Sequence, residues 1–173
     1  ESWDVDFGLA TGNCVVYDDT LYVLFGREEG GDAENSSTKF RYAAMDDLGN
    51  FEEEDLPIGA RVNGVAVVVG GKLYAGLGFR GRVYGVNAYL RDWWEYDFGV
   101  KKWRQLADFP TYDVVAPLVW VDEGYIYTIY GSNEGPSGVV YRYDIDGDVW
   151  EVYSDKTEPW ARYRALGGVV DGW

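Results

Sequence analysis

The sequence contains no histidine among its 173 residues, and it contains a single cysteine. The lack of histidine excludes Ser-His-Asp and Cys-His catalysis, and it excludes zinc sites that use histidine ligands. One cysteine cannot form an internal disulfide. Because Cys14 lies in a predicted apolar strand, we expect its thiol to be buried and unreactive. No catalytic constellation of these kinds is therefore expected, and neither a metal nor a cofactor is expected.

Basic residues are also scarce: 15 lysines and arginines stand against 30 aspartates and glutamates, which gives a net charge of -15. Nucleic acids are not expected partners, because binding to their phosphates depends on a basic surface. Apolar runs are short, and none approaches the ~20 residues of a membrane helix, so no transmembrane segment is expected. The chain starts at Glu1, so any signal peptide or lipid anchor would already be missing. The compartment stays open, with a periplasmic or extracellular location favoured.

The sequence is rich in apolar and aromatic residues, which make up 47% and 17% of the chain and suffice for a core. The stretch 59–110 shows how they are arranged. Two apolar runs at 65–69 and 73–77 flank a glycine pair and predict a tight hairpin. After a glycine-rich loop, residues 93–97 and 103–106 predict two further strands. The stretch therefore predicts a four-stranded antiparallel meander.

This meander recurs along the chain. Three dipeptides stand about 52 residues apart, and each is followed by a glycine: Leu21-Tyr22, Leu73-Tyr74 and Ile126-Tyr127. A second feature also repeats, because Tyr96-Asp97 leads to Trp103 at the same spacing as Tyr143-Asp144 leads to Trp150. A repeat of this length with four strands is typical of a β-propeller blade.

These repeated positions resemble the kelch repeat, in which a hairpin ends in a glycine doublet and a Tyr-Asp pair and a tryptophan follow. The resemblance covers nearly the whole chain, and the passage at 89–97 is most similar to bacterial kelch proteins. The doublet departs from the pattern and reads Phe25-Gly26, Leu77-Gly78 and Tyr130-Gly131. The resemblance implies an all-β fold, a β-propeller of kelch-type four-stranded antiparallel blades.

The repeat divides the chain into three full blades and two partial ones. We expect an outer strand of a preceding blade at 1–11, blades at 12–58, 59–110 and 111–156, and an inner strand of a further blade at 157–173. Such an arc does not close a ring, since propellers have roughly four to eight blades. The expected partner is therefore the missing remainder of the ring, in a longer polypeptide or in a second chain. Trp3, Trp103 and Trp150 share one blade position and are expected in the core between blades.

Two patterns that suggest ligand chemistry lack the context that chemistry needs. The acidic run at 144–148 resembles a calcium loop, but its glycine falls too early, so a turn is favoured. The glycines at 76–81 resemble a phosphate-binding loop only by their number, because no helix follows them. Neither pattern is expected to hold a metal or a cofactor.

The kelch resemblance also places a candidate ligand site. It implies that the loops between second and third strands, and the loops leading into each blade, share one face around the central channel. Arginine and aromatic side chains there suit a carboxylate, a sugar or an acidic peptide. For Arg61 and Arg162, neutralising a carboxylate within the ring is an equal alternative. The candidates are Arg61, Arg80, Arg82, Tyr84, Asn87, Tyr112, Asp113, Asn133, Glu134, Trp160 and Arg162, together with the loop 27–37.

Three functions fit these observations. The first is a non-catalytic recognition module that binds a protein or carbohydrate ligand on the loop face. The second is a sugar epimerase or mutarotase resembling the kelch-type sialic acid enzymes, with Arg82, Arg61 or Arg162 holding a carboxylate and Glu134 moving a proton. The third is a structural propeller domain of a larger polypeptide.

Overall fold

The fold was obtained as a computed structural model, which describes residues 9–28, 35–84, 86–112, 114–129, 131 and 138–155. The described residues contain no α-helix, and their regular structure consists of β-strands. The strands in chain order are β1 (Leu9–Ala10), β2 (Asn13–Tyr17), β3 (Thr20–Leu24), β4 (Arg27–Glu28), β5 (Lys39–Ala44), β6 (Glu52–Asp55), β7 (Val65–Val69), β8 (Lys72–Gly76), β9 (Phe79–Val83), β10 (Val86–Tyr89), β11 (Trp93–Asp97), β12 (Lys102–Gln105), β13 (Leu118–Asp122), β14 (Tyr125–Ile129), β15 (Val140–Asp144) and β16 (Val149–Ser154).

Three antiparallel sheets of four strands each dominate the fold. The first sheet is β2-β3-β5-β6, the second is β7-β8-β11-β12 and the third is β13-β14-β15-β16. Their innermost strands lie side by side, because β7 contacts both β2 and β13. The all-β class and the partial β-propeller predicted from the sequence are therefore confirmed. Among the residues that the structure describes, no helix is long and apolar enough to cross a membrane.

The hairpins at the inner edge of the three sheets share one turn geometry. In the second sheet, Gly70 and Gly71 connect β7 to β8 with φ of 59° and 75°. The matching turns carry Asp18-Asp19 in the first sheet and Glu123-Gly124 in the third, all with positive φ. Two successive left-handed residues match the twist of the flanking strands, so each pair closes a tight hairpin. The apolar residues of the two strands continue that hairpin.

Aromatic side chains fill the two interfaces between sheets. Phe40 of the first sheet meets Tyr96 and Trp103 of the second, with ring centroids 5.1 and 5.6 Å apart. Between the second and third sheets, Trp150 is 8% exposed and packs against Trp93. Trp103 and Trp150 therefore lie between sheets as the sequence predicted, whereas Trp3 falls outside the described residues.

The structure differs from the sequence expectations at three places. Cys14 is exposed, not buried, because it lies on the side of β2 that no described residue covers. The segment 27–37 was expected to be a loop, yet its first two residues form strand β4, which pairs with β1. The glycine-rich segment after β8 forms a second hairpin, β9–β10, in which glycines lie within and beside the strands. Each difference concerns a short strand or a side of a strand that no described residue covers. In such places the alternation of apolar and polar residues gives little information about structure.

Candidate functional site

The loops of the second sheet converge on one end of the molecule, which we call the loop face. Gly76 at the end of β8 is paired with Val65 at the start of β7 and with Trp93 at the start of β11. The loop leading into β7 and the segment between β8 and β11 therefore meet at this end. The segment between β12 and β13 starts there as well, since Gln105 is paired with Trp94. The described part of the loop face comprises residues 56–64, 77–84, 86–92, 106–112 and 114–117.

Backbone hydrogen bonds repeat from sheet to sheet across the loop face. The amide of Asn63 donates to the carbonyl of Thr11 at 3.3 Å, and the amide of Ala116 donates to the carbonyl of Asn63 at 2.8 Å. All three residues are left-handed, with φ of 62°, 54° and 48°. Non-glycine residues adopt this conformation at an energetic cost. Its recurrence at the same place in three loops therefore shows that the repeat requires a left-handed residue there. The loops of neighbouring sheets are thus held in a fixed relation.

The backbone conformation at the doublets explains why this chain keeps only the second glycine of the kelch pattern. Gly78 has a φ of 93°, and a Cβ on it would lie 2.6 Å from the carbonyl oxygen of Val62, so glycine is required there. The preceding residues Phe25 and Leu77 are also left-handed, and both are fully buried. Burying such a side chain contributes about 1.5–3 kcal/mol, which offsets the ~1–2 kcal/mol of a left-handed residue. The second position therefore keeps glycine, whereas the first tolerates a large apolar residue.

Arg61 belongs to the loop face, but its side chain is 0% exposed. Its Nη1 and Nη2 each donate to the Asp92 carboxylate at 2.8 Å. Nη1 also donates to the Leu77 carbonyl at 3.2 Å, and Nη2 donates to the Ile58 carbonyl. The guanidinium carbon lies 5.1 Å from the centroid of the Phe25 ring. Of the two roles considered for Arg61, this geometry favours ion pairing within the fold.

The β9–β10 hairpin carries four of the predicted site residues. Its base is fixed by hydrogen bonds of 2.9 Å in both directions between Phe79 and Val62. Arg82 is paired with Asn87 across the hairpin, and the Asn87 amide donates to the Tyr89 hydroxyl at 3.1 Å. At the tip, Tyr84 is fully exposed and has a φ of 51°. The fourth residue, Arg80, is exposed in β9.

Arg80 and Tyr112 bring two further groups to the loop face. The Nη2 of Arg80 lies 3.1 Å from where a Cβ of Gly59 would be, so the absence of a side chain at Gly59 leaves room for the guanidinium. Tyr112 is 62% exposed, and the guanidinium of Arg91 lies 4.7 Å from its ring centroid. The sequence analysis missed Arg91 and Asp92. A charged pair directly before the buried strand β11 is the signal that could have found them.

The remaining predicted site residues lie outside the described part of the chain, where the structure neither joins them to the loop face nor separates them from it. They are Asp113, Asn133, Glu134, Trp160 and Arg162. The described candidates that it brings to one end of the molecule are Arg61, Arg80, Arg82, Tyr84, Asn87 and Tyr112.

The charge of the described loop face is opposite to that of the whole chain. Its described carboxylates, Asp92 and Asp108, are both paired with arginines, at 2.8 Å to Arg61 and 3.3 Å to Arg91. No ion pair joins Arg80 to another described residue. In a chain of net charge -15, the described part of this face therefore offers the guanidinium of Arg80 to an anionic ligand. Among the described residues, no cluster of three or more acidic or cysteine side chains could hold a metal ion.

Among the described carboxylates, the one with the most hydrogen bonds lies between the second and third sheets, away from the loop face. Glu95 accepts from Lys72 Nζ at 2.9 Å, Arg104 Nη2 at 3.1 Å and the Tyr74 hydroxyl at 3.1 Å. Burial acts to raise the pKa of Glu95, but the hydrogen bonds from Lys72 and Arg104 outweigh it and lower the pKa below its usual value. Burial and the neighbouring Glu95 raise the pKa of Tyr74. Glu95 is therefore an ionised structural group and not a proton donor.

We expect Glu95→Gln to lower the free energy of unfolding by roughly 2–3 kcal/mol at pH 7, because a hydrogen bond to a charged group contributes about 1.5–3 kcal/mol. Since the folded pKa of Glu95 lies below the unfolded value of about 4.3, the wild-type advantage exists above that pH. It should disappear as the pH falls through the folded pKa. Urea unfolding from pH 7 to 3 measures this. Glu151→Gln, which removes a half-exposed carboxylate, is the control. A difference in unfolding free energy between the wild type and Glu95→Gln that does not change with pH contradicts the prediction.

The described chain is thus a partial β-propeller with an arginine-bearing loop face. No protein-family model matches the sequence. Three curated proteins named N-acetylneuraminate epimerase are similar to it. The Escherichia coli protein, N-acetylneuraminate epimerase 1, is 35% identical over 94 residues, which is 51% of this chain and 23% of that protein. The Vibrio cholerae protein is 35% identical over 108 residues, covering 56% and 25%. The Pasteurella multocida protein is 30% identical over 132 residues, covering 75% and 33%. The match spans about a quarter to a third of these relatives.

Proposed function

We propose that this chain forms part of the kelch-type propeller of a sugar epimerase or mutarotase whose ligand is N-acetylneuraminate or a similar carboxylated sugar. The observation that carries the proposal is the similarity to three proteins of that name, over 51%, 56% and 75% of the chain. The loop face supports it independently, because its described arginines outnumber the carboxylates that neutralise them.

The chemistry of such a ligand matches the groups on the loop face. N-acetylneuraminate has a carboxylate on its anomeric carbon, and a guanidinium can bind both carboxylate oxygens at once. We assign this role to Arg80 and Arg82 on the β9–β10 hairpin, and we assign contacts with the sugar ring to Tyr84, Asn87 and Tyr112. Arg61 is buried and holds the loops through Asp92, so it acts as a positioning residue.

Epimerisation at the anomeric carbon needs a proton-transfer group in addition to a carboxylate clamp. Opening the ring requires a base that takes the proton of the anomeric hydroxyl and an acid that protonates the ring oxygen. Asp92 and Asp108 are engaged by arginines, which leaves them unsuited to this work. We assign the proton transfer to Glu134, which follows β14 in the sequence and lies outside the described residues.

The test uses the complete gene product that contains this sequence. NMR spectroscopy follows the approach of a single N-acetylneuraminate anomer to equilibrium, and saturation-transfer NMR measures its binding. We expect catalysis of the interconversion, at least tenfold weaker binding in Arg82→Met or Arg80→Met, and slower turnover with intact binding in Glu134→Gln. Arg142→Met, a matched change on the third sheet, should leave both properties unchanged. Uncatalysed interconversion together with no detectable binding would contradict the proposal.

A non-catalytic recognition module is the second candidate. One observation favours it: in the described part of the loop face, both carboxylates are tied to arginines, so neither is free to move a proton. The same experiment separates the two functions. Binding of N-acetylneuraminate that depends on Arg82, without acceleration of its interconversion, is the result expected for the recognition module.

A further inference from the structure

A groove of about 530 Å³ lies between the first and second sheets, at the end of the strands opposite the loop face. We call it the turn-side groove. Its walls come from the start of β3, the end of β5, the turn that joins β5 to β6, and Lys101 in the β11–β12 turn. The volume is within the ~300–1,000 Å³ typical of small-ligand sites. No residue of the loop face contributes to it.

The floor of the turn-side groove is aromatic. The rings of Tyr22 and Tyr42 lie 5.9 Å apart, and Phe51 adds a third ring to the lining. The Tyr42 hydroxyl is within hydrogen-bond distance of Glu54 at 2.9 Å and Glu52 at 3.3 Å, which fixes the ring. Burial and the hydrogen bond to Glu54 raise the pKa of Tyr42, so its phenol is neutral at ordinary pH. The floor is therefore a fixed, uncharged aromatic surface.

The rim of the turn-side groove carries both kinds of hydrogen-bonding group. Asp47 and Glu52 provide acceptors. The side-chain amide nitrogen of Asn50 donates to both Asp47 oxygens, at 2.8 and 2.9 Å, and its side-chain carbonyl is a further acceptor. The ammonium of Lys101 lies 5.9 Å from the centroid of the Tyr42 ring. The ion pairs of the described residues do not include Lys101. Its ammonium therefore lies over the aromatic floor with no carboxylate partner among the described residues.

We propose that the turn-side groove binds a neutral pyranose. A pyranose has a flat C–H face that packs on aromatic rings, and hydroxyls that both donate and accept at its edge. The rim supplies partners for both functions. An anionic ligand would meet Asp47 and Glu52, and a cationic ligand would meet Lys101, so a ligand without charge fits this lining better than either. This site is separate from the loop face and does not depend on the function proposed for that face.

The test is saturation-transfer NMR on the full chain with three probes: methyl α-glucopyranoside, methyl β-galactopyranoside and methyl N-acetyl-β-glucosaminide. At least one should receive saturation. Lys101→Met and Asn50→Ala remove exposed rim groups, so the fold should persist, and each should weaken binding about tenfold. Lys102→Met changes the adjacent lysine, which does not line the groove, and should bind like the wild type. Binding of N-acetylneuraminate should be the same in all three variants.

Three results would overturn the proposal. One is the absence of saturation transfer to every pyranoside. Another is pyranoside binding that survives unchanged in both Lys101→Met and Asn50→Ala. The third is a preference for tetramethylammonium over the pyranosides, which would identify the groove as a cation site. Because the loop face lies at the other end of the sheets, its own binding assay succeeds or fails independently of these results.

Discussion

Replacing Arg61 with methionine should lower the free energy of unfolding by about 3–5 kcal/mol, the loss typical of breaking a buried ion pair. The change leaves the Asp92 carboxylate without its two guanidinium donors. It also removes the guanidinium that donates to the carbonyls of both Ile58 and Leu77 in the wild type. Urea unfolding followed by circular dichroism measures the loss. The same variant should weaken ligand binding on the loop face, because the loops lose their common anchor.

A double-mutant cycle separates the ion pair from the packing of the arginine. Asp92→Asn keeps the shape of the acceptor but leaves the buried guanidinium charge without its carboxylate, so it should also be strongly destabilising. In Arg61→Met with Asp92→Asn, the second change should cost much less than it does alone. Lys39→Met removes a solvent-exposed ion pair with Asp55 and should stay close to wild type. Additive losses, or a loss below about 1 kcal/mol for Arg61→Met, would show that the pair stabilises nothing.

The sheets could be predicted from the sequence because their signal is local and repeats. In β7 and β8, an apolar run, two glycines and a second apolar run describe one hairpin, and two apolar runs joined by a two-residue turn recur about 52 residues away on both sides. Trp150 was placed in the core by its spacing from Tyr143, and the two rings are 5.1 Å apart in the structure. Periodic burial and aromatic spacing are properties that a sequence records directly.

The sequence could not decide between the two roles considered for Arg61, because its carboxylate partner lies 31 positions away in a different loop. Spacing alone gives no reason to pair Arg61 with Asp92 and to leave Arg80 without an ion pair among the described residues. The β9–β10 hairpin was missed for a related reason, since Gly81 and a register shift between Asn87 and Tyr89 interrupt the alternation that reveals a strand. The loop face depends on such long-range contacts, and so the sequence indicated its composition but not its geometry.

Replacing Trp150 with alanine should lower the free energy of unfolding by about 3–5 kcal/mol, as expected for a buried tryptophan. The ring is 8% exposed and joins the second and third sheets through Trp93, at 5.3 Å, and Phe109, at 4.8 Å. Since each sheet contacts only its neighbours, the loss should fall on this one interface. The third sheet should then unfold before the other two, which chemical denaturation detects as a second transition or a reduced m-value.

Two matched variants show whether burial is the cause. Trp103 has the equivalent position in the second sheet but is only half-buried, so Trp103→Ala should be clearly less destabilising than Trp150→Ala. Trp150→Phe keeps an aromatic ring and removes an indole Nε1 that has no hydrogen-bond partner among the described residues. An unsatisfied buried donor costs about 1–3 kcal/mol, so phenylalanine should recover most of the loss. If Trp150→Phe were as damaging as Trp150→Ala, the stabilisation would come from a contact specific to the indole and not from aromatic packing between the sheets.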